Sequence, residues 1–357
     1  MGGDRNLRRT SRLVWVGLFG AGLSIGVLVL AFTVQPTAQA LPEQALLARR
    51  IELGKLLFND PTLSVDGTIR CASCHIPEKA YSDGRTVAIG VFGQPGTRNT
   101  PSLFNIAAAK ETSFFWDGRR TALEQAVLDP LTNPVEMGLH DQAELIRRIA
   151  QNGTYTQALE QAFPGDQDSL TPSEIGIVLS AYVLSLAPPQ STFDRYRHGD
   201  RSALNPRAQL GLALFQGKAG CAECHLLKGS APVLTDHGFH RTGVGLDGVT
   251  ANLPALTSEV ISRSLQGAAI GSRVATHTDE AQLGRFNVTQ DPADIGLFRT
   301  PSLSGVSHSA PYMHDGSVST LEEAIDREVY YRSLQAGRPL NLSVEERLDL
   351  DEFLRSL

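Results

Sequence analysis

All four cysteines and two of the nine histidines fall into two pentapeptides, Cys71-Ala72-Ser73-Cys74-His75 and Cys221-Ala222-Glu223-Cys224-His225. In C-x-x-C-H the two thiols add to the vinyl groups of one haem, and the adjoining imidazole becomes an axial ligand of its iron. The competing chemistry is a zinc site made from two C-x-x-C pairs. Zinc would leave both following histidines without a role, and the gap from Cys74 to Cys221 is far longer than in a zinc ribbon. The motifs therefore predict two covalently bound haem c groups, held by Cys71, Cys74 and His75 and by Cys221, Cys224 and His225. Every thiol is then consumed, so no disulfide is expected.

The elements that must position these motifs repeat. A helix is predicted over 44–58, ending at Asn59-Asp60-Pro61. Its tail, Glu52-Leu-Gly-Lys-Leu-Leu-Phe58, returns as Gln209-Leu-Gly-Leu-Ala-Leu-Phe215 just before the second haem motif. Thr100-Pro-Ser-Leu103 returns as Thr300-Pro-Ser-Leu303. Trp116-Asp-Gly118 with Leu123-Glu-Gln-Ala126 is echoed by His314-Asp-Gly316 with Leu321-Glu-Glu-Ala324, in the same order. Each half closes on a capping box, Thr171-Pro172-Ser173-Glu174 and Ser343-Val-Glu-Glu346, and Pro172 takes the first helical position, where its missing N–H costs nothing. Apolar spacing of three to four favours helix over strand. The chain thus divides into two homologous helical lobes, 41–190 and 203–357, joined after Pro188-Pro189. About fifty extra residues between the second haem motif and its Thr-Pro-Ser-Leu are rich in Gly and Thr and predict an irregular excursion with a short hairpin.

With 357 residues and 41% hydrophobic content, the chain is long enough for two cores. Residues 1–40 combine Arg5, Arg8, Arg9 and Arg12, an uncharged apolar run from Leu13 to Val34, and Ala38-Gln39-Ala40. This predicts a signal peptide, or, because the run is long enough to span a bilayer, an uncleaved N-terminal membrane anchor. Either way the remainder is exported, and periplasmic placement is expected. Loss of the segment removes four Arg and one Asp, so a formal charge of −6 becomes −9. An acidic chain without a basic run gives no support for nucleic-acid binding.

Beyond the haem motifs, the chain carries Arg98-Asn99-Thr100-Pro101, Phe115-Trp116-Asp117-Gly118-Arg119, Pro134-Val135-Glu136-Met137 and Pro311-Tyr312-Met313-His314-Asp315-Gly316. In order and spacing this set resembles the bacterial di-haem cytochrome c peroxidase and MauG family, over nearly the whole exported part. The resemblance implies a mainly α fold of two cytochrome c-like haem lobes with long irregular loops. It implies that the first haem reacts with hydrogen peroxide while the second stores or relays oxidising equivalents. Trp116 matches the tryptophan between the haems, and an indole is oxidisable enough to serve as a stepping site; the bland reading is a core tryptophan. Glu136 matches the glutamate of the peroxide pocket, where a carboxylate can carry a proton from one peroxide oxygen to the other. A calcium ion between the lobes is implied as well, with Asn99 through its side chain and Ser309 and Pro311 through backbone carbonyls.

Two departures from the simple peroxidase pattern stand out. Where peroxidases that need reductive activation carry a histidine that caps the first haem, this chain has Val91, and no histidine lies between His75 and His140. The first haem is expected to keep an open sixth site, as in the MauG branch. At the position of the second haem's distal ligand, methionine in peroxidases and tyrosine in MauG, ungapped spacing puts Glu328. Leu321, Ala324, Ile325 and Glu328 follow one helical face, and Tyr331 shares it while Tyr330 points elsewhere. Glu328 or Tyr331 is therefore the candidate ligand; the bland reading is that Glu328 makes a buried salt bridge and the iron is open or held by Tyr331. His314 is either a hydrogen-bonding residue near the second haem or a structural one, and His140, His198, His237, His240, His277 and His308 receive no role.

The function expected is a peroxide-dependent oxidoreductase of the MauG type, in which His75 and His225 hold the irons and Glu136 handles protons. Its partner is an exported redox protein or protein substrate, and electrons leave it through the second haem and Trp116. The alternatives are a cytochrome c peroxidase served by a small electron-donor protein, a non-enzymatic di-haem electron carrier, and a haem-based sensor.

Overall fold

The computed structural model describes residues 42–165, 170–229 and 231–357. The predicted signal or anchor segment at 1–40 lies outside the described residues. No helix of the described residues is long and apolar enough to cross a membrane.

Six longer helices frame the two haem motifs: α1 (Glu43–Phe58), α2 (Pro172–Leu184), α3 (Pro206–Gln216), α4 (Leu253–Leu265), α5 (Leu321–Gln335) and α6 (Val344–Leu354). Both capping boxes form. Thr171 and Ser343 each accept from the N–H three residues on, while Glu174 and Glu346 reach back to the cap N–H. Residues Gln44–Leu357 make one compact unit. Its apolar interior sorts by half, with one cluster built from Leu53, Leu57, Leu145, Ile149, Ile175 and Val178 and another from Phe193, Phe215, Leu350 and Phe353. The fold is mainly α, as the apolar spacing predicts.

The repeated Leu-Gly explains itself at the helix crossings. A Cβ on Gly54 of α1 would lie 2.0 Å from the Val178 carbonyl oxygen of α2, and one on Gly211 of α3 would lie 1.9 Å from the Asp349 oxygen of α6. In both halves only a residue without a side chain lets the opening helix touch the closing one.

The repeated tryptophan and histidine turns form matching devices. Phe114 bridges Arg120 around one turn and Tyr312 bridges Val318 around the other. Phe115 and Gly118 take φ of 67° and 68°, and Met313 and Gly316 take 69° and 63°. Each turn clasps the opposite half. Arg299 N–H donates to the Trp116 carbonyl at 2.9 Å, and Asn99 N–H donates to the His314 carbonyl at 2.9 Å. Asn99 and Arg299 immediately precede the two Thr-Pro-Ser-Leu segments, so the clasp is reciprocal.

The excursion departs from expectation. Instead of irregular chain it carries α4 and shorter helices around a core of Val249, Leu256, Val260, Leu283 and Phe286. Its ends pair as β1 (Phe239–Arg241) and β2 (Leu297–Arg299), antiparallel but far apart in sequence, so they are no hairpin. Gly and Thr marked its connections, and the short apolar pattern of α4 was hidden among them. The excursion also grips the first half: Arg98 donates to the Ala281 carbonyl at 2.8 Å, and Arg285 donates to the carbonyls of Asp117 and Gly118 at 3.1 and 2.9 Å.

Candidate functional site

One continuous cavity of about 490 Å³ is lined by both haem motifs, by Trp116 and Glu136, and by Glu328 and Tyr331. The first motif occupies a single helical turn, Cys71–Cys74, which brings both thiols to the same wall. His75 Nδ1 donates to the Tyr81 carbonyl at 2.8 Å, and His225 Nδ1 donates to the Leu234 carbonyl at 2.9 Å. Each acceptor residue sits at φ of 57°, a left-handed kink that turns its carbonyl back onto the ring. The bond fixes the tautomer in both halves, leaving Nε2 as the free lone pair. Burial lowers the pKa of both imidazoles, which keeps them neutral.

These walls fit haem. The four cysteines are unpaired. Burial pushes the Cys71, Cys74 and Cys221 thiols up to about 12. Among the described residues no group of four thiols converges as zinc requires; the one cluster of metal-type ligands is Cys224, Asp236 and His240. Cys224 belongs to the haem motif, and His240 Nε2 is bonded to Asp236 Oδ2 at 2.7 Å. Arg98, Arg119 and Arg332 line the cavity, and the Nε of each is buried without a partner, as donors awaiting an anionic group would be. A porphyrin carrying carboxylates would supply that group.

On the first side, Glu136 reaches the cavity from the turn after Asp129–Thr132. Asn133 Nδ2 donates to its Oε1 at 2.8 Å. Burial raises the Glu136 pKa; Arg119 offsets part of this, and Asp129 adds to the rise. Arg119 is itself fixed, with Nη1 at 3.2 Å from the fully buried Asp117 and its guanidinium 3.5 Å from the centre of the Phe115 ring. Burial alone would raise the Asp117 pKa, but Arg119 and Arg98 overcome it and hold the carboxylate charged. Trp116 Nε1 donates to the Asn99 carbonyl at 2.9 Å, which orients the indole in the wall shared by the two halves.

Val91 is buried, but its side chain does not line the cavity; it packs against Gly138, beside Val65. Of the nine histidines, those lining the cavity among the described residues are His75, His225, His240 and His314. The last two come from the second half.

On the second side, α5 presents the predicted face. Leu321, Ala324 and Ile325 are buried, Glu328 and Tyr331 line the cavity, and Tyr330 is exposed. Burial raises the Glu328 pKa, with Arg332 and His240 offsetting part of it. Arg332 Nη2 donates to Glu223 Oε2 at 2.7 Å within the second motif. The Tyr331 ring lies against Gly243, whose φ is +68° and where a Cβ would meet the ring at 2.0 Å. His314 Nε2 bonds Gln282 Oε1 at 2.6 Å, and its ring stacks on Phe298 with centroids 3.5 Å apart. Its backbone carbonyl belongs to the clasp and its side chain lines the cavity.

Asn99 Nδ2 is taken by the Arg85 carbonyl at 2.8 Å, leaving Oδ1 as the side-chain oxygen. Asn99, Ser309 and Pro311 line the same cavity.

Sequence reasoning missed Asn133, Arg332 and His240. His240 receives no role from the sequence; the β1–β2 pairing carries it to the cavity wall. Asn133 bore a readable signal, three residues before a glutamate, although that spacing equally marks an ordinary turn.

A family model described as di-haem cytochrome c peroxidase matches residues 48–202. The cytochrome-c peroxidase IdrP2 of Denitromonas iodatirespirans is 34% identical, over 99% of this chain and 93% of that protein. The methylamine utilization protein MauG of Methylorubrum extorquens is 33% identical, over 86% of this chain and 78% of that protein. Among solved structures, a MauG-like protein associated with microbial copper homeostasis superposes with a TM-score of 0.68 at 30% identity, covering 87% of this chain and 89% of that one. With the haem-binding walls present in both halves, the chain belongs to the di-haem cytochrome c peroxidase and MauG family.

Proposed function

We propose that this protein is an exported oxidoreductase that reduces hydrogen peroxide in its first lobe (41–190) and draws the electrons from a partner through its second (203–357). The observation that carries the reading is Glu136, a carboxyl with a raised pKa, held by Asn133 in the cavity wall of the first lobe. Cys71, Cys74 and His75 hold one haem and Cys221, Cys224 and His225 the other. When bound, the haems supply the redox-active iron that the side chains lack. Glu136 takes a proton from one peroxide oxygen and returns it to the other, so that two electrons and two protons convert peroxide to two waters. Trp116, in the wall between the lobes, relays electrons.

The source of those electrons is an exported protein, with a tryptophan or tyrosine side chain favoured, as in MauG. Among the described residues, no histidine of the first lobe other than His75 lines the cavity, which supports an iron open to peroxide from the start. A second reading, a small electron-donor protein as substrate, is favoured by the likeness to a cytochrome-c peroxidase at 34% identity. Glu328 and Tyr331 stand as candidate ligands of the second iron. Calcium is proposed at Asn99 Oδ1 with the Ser309 and Pro311 carbonyls. The N-terminal segment exports the chain to the periplasm and either is cleaved or tethers it to the inner membrane. Rapid mixing of holoprotein with peroxide tests the reading. Glu136→Gln is expected to slow peroxide consumption by about 10²–10⁴-fold; an unchanged rate would remove Glu136 from the chemistry.

A further inference from the structure

Tyr330 and Tyr331 are neighbours on α5, yet they face different surroundings. Successive helical side chains diverge by about 100°, so one ring can lie inside while the next lies outside. Tyr331 lines the cavity that holds Cys221, Cys224 and His225, pressed against Gly243. Tyr330 is 58% exposed. Their rings still meet edge to face, with centroids 5.0 Å apart and planes at 77°. Of the seven tyrosines, all within the described residues, Tyr330 alone is exposed. A purely structural pair of this kind is worth about 0.5–1.5 kcal/mol, and a ring this exposed buries little area.

We propose that Tyr330 is a surface redox port: an oxidisable phenol in contact, through Tyr331, with the second haem cavity, at which an exported one-electron donor delivers its electrons. The proposal rests on the peroxide-reducing reading above. Phenols give up one electron and one proton together, and here solvent takes the proton of Tyr330. With a donor present, the donor refills Tyr330 and the port is unchanged. Without one, two protein molecules each lose one electron and one proton from Tyr330. Their rings then join by a carbon–carbon bond ortho to the hydroxyls, and the ring hydrogens move to oxygen to restore the phenols. One peroxide takes up the two electrons and two protons and becomes two waters, so atoms and electrons balance.

The test treats full-length holoprotein with half an equivalent of hydrogen peroxide and no donor. Peroxide consumption, dityrosine fluorescence, covalent dimer on a denaturing gel and the cross-linked peptides by mass spectrometry are then read together. Wild type is expected to form a dimer linked through Tyr330. Tyr330→Phe, a surface change that keeps the ring, is expected to lose at least tenfold of the dimer while keeping the wild-type melting curve. Equal dimer in Tyr330→Phe, a linkage mapped to another tyrosine, or peroxide consumed without any tyrosine product would each overturn the port alone. Wild-type holoprotein that fails to consume peroxide would overturn the peroxide reading and the port with it.

Discussion

Replacing Asn133 by Ala removes the bond its Nδ2 donates to Glu136 Oε1 at 2.8 Å. A hydrogen bond to an ionised group is worth about 1.5–3 kcal/mol. The protonated carboxyl still accepts such a bond at roughly half the strength, so about 0.8–1.5 kcal/mol distinguishes the two forms. At 1.36 kcal/mol per pH unit, the acid limb of the peroxide rate should move to higher pH by about 0.5–1 unit. The sign follows from the ionised carboxylate being the base: whatever destabilises it raises the pH at which it becomes available. Burial already acts in that direction on Glu136. The folded carboxyl therefore holds its proton more tightly than in the unfolded chain, and its contribution to stability is lost as pH rises through the folded pKa. The assay is kcat/KM for peroxide across pH, wild type against Asn133→Ala. Because Asn133 Oδ1 also accepts from Val135 N–H at 3.2 Å, a melting curve is run in parallel. An acid limb that stays in place while the melting curve is unchanged would refute the role given to this pair.

Gly211→Ala places a Cβ 1.9 Å from the Asp349 carbonyl oxygen, and Gly54→Ala places one 2.0 Å from that of Val178. Helix propensity alone would stabilise each by about 1 kcal/mol, but overpacking costs about 1–3 kcal/mol and occasionally more, and a Cβ this close to a backbone oxygen falls at the upper end. A fall in Tm of several degrees is expected from both, and a rise in either would contradict the crossing. Trp116→Phe removes the oxidisable indole and its bond to the Asn99 carbonyl; slower decay of the peroxide-oxidised protein in the presence of donor is expected by rapid-scan spectroscopy, and an unchanged decay argues against the relay. Chelation should lower Tm, with calcium restoring it by the mass-action increment of about 2.7 kcal/mol at a hundred times Kd; Asn99→Ala should abolish that response, and a variant that still responds places calcium elsewhere.

How far the sequence spoke depended on the distance over which each feature is determined. The C-x-x-C-H motifs, the capping boxes and the Leu321-to-Tyr331 face are local patterns, and local chemistry reads them directly. The Leu-Gly repeat was visible, yet its reason, contact with a helix more than a hundred residues away, was not. Trp116 and Glu136 were singled out by family likeness, since either alone reads as a core tryptophan or a turn glutamate. His240 and the fold of the excursion were missed for one cause. Both depend on strands at 239–241 and 297–299 pairing across intervening helices, which composition cannot register. Val91 is buried as an apolar residue should be, but it fills space beside Gly138 instead of facing the cavity, a placement its sequence position does not reveal.

The inequality of the two iron sites underlies the whole reading. Low-temperature electron paramagnetic resonance of the ferric holoprotein as isolated measures it directly. One high-spin signal, from an open iron on His75, and one low-spin signal, from a six-coordinate iron on His225, are predicted. Two low-spin signals would contradict an open first site and leave the first iron capped at rest, as in an electron carrier or a peroxidase that needs reductive activation.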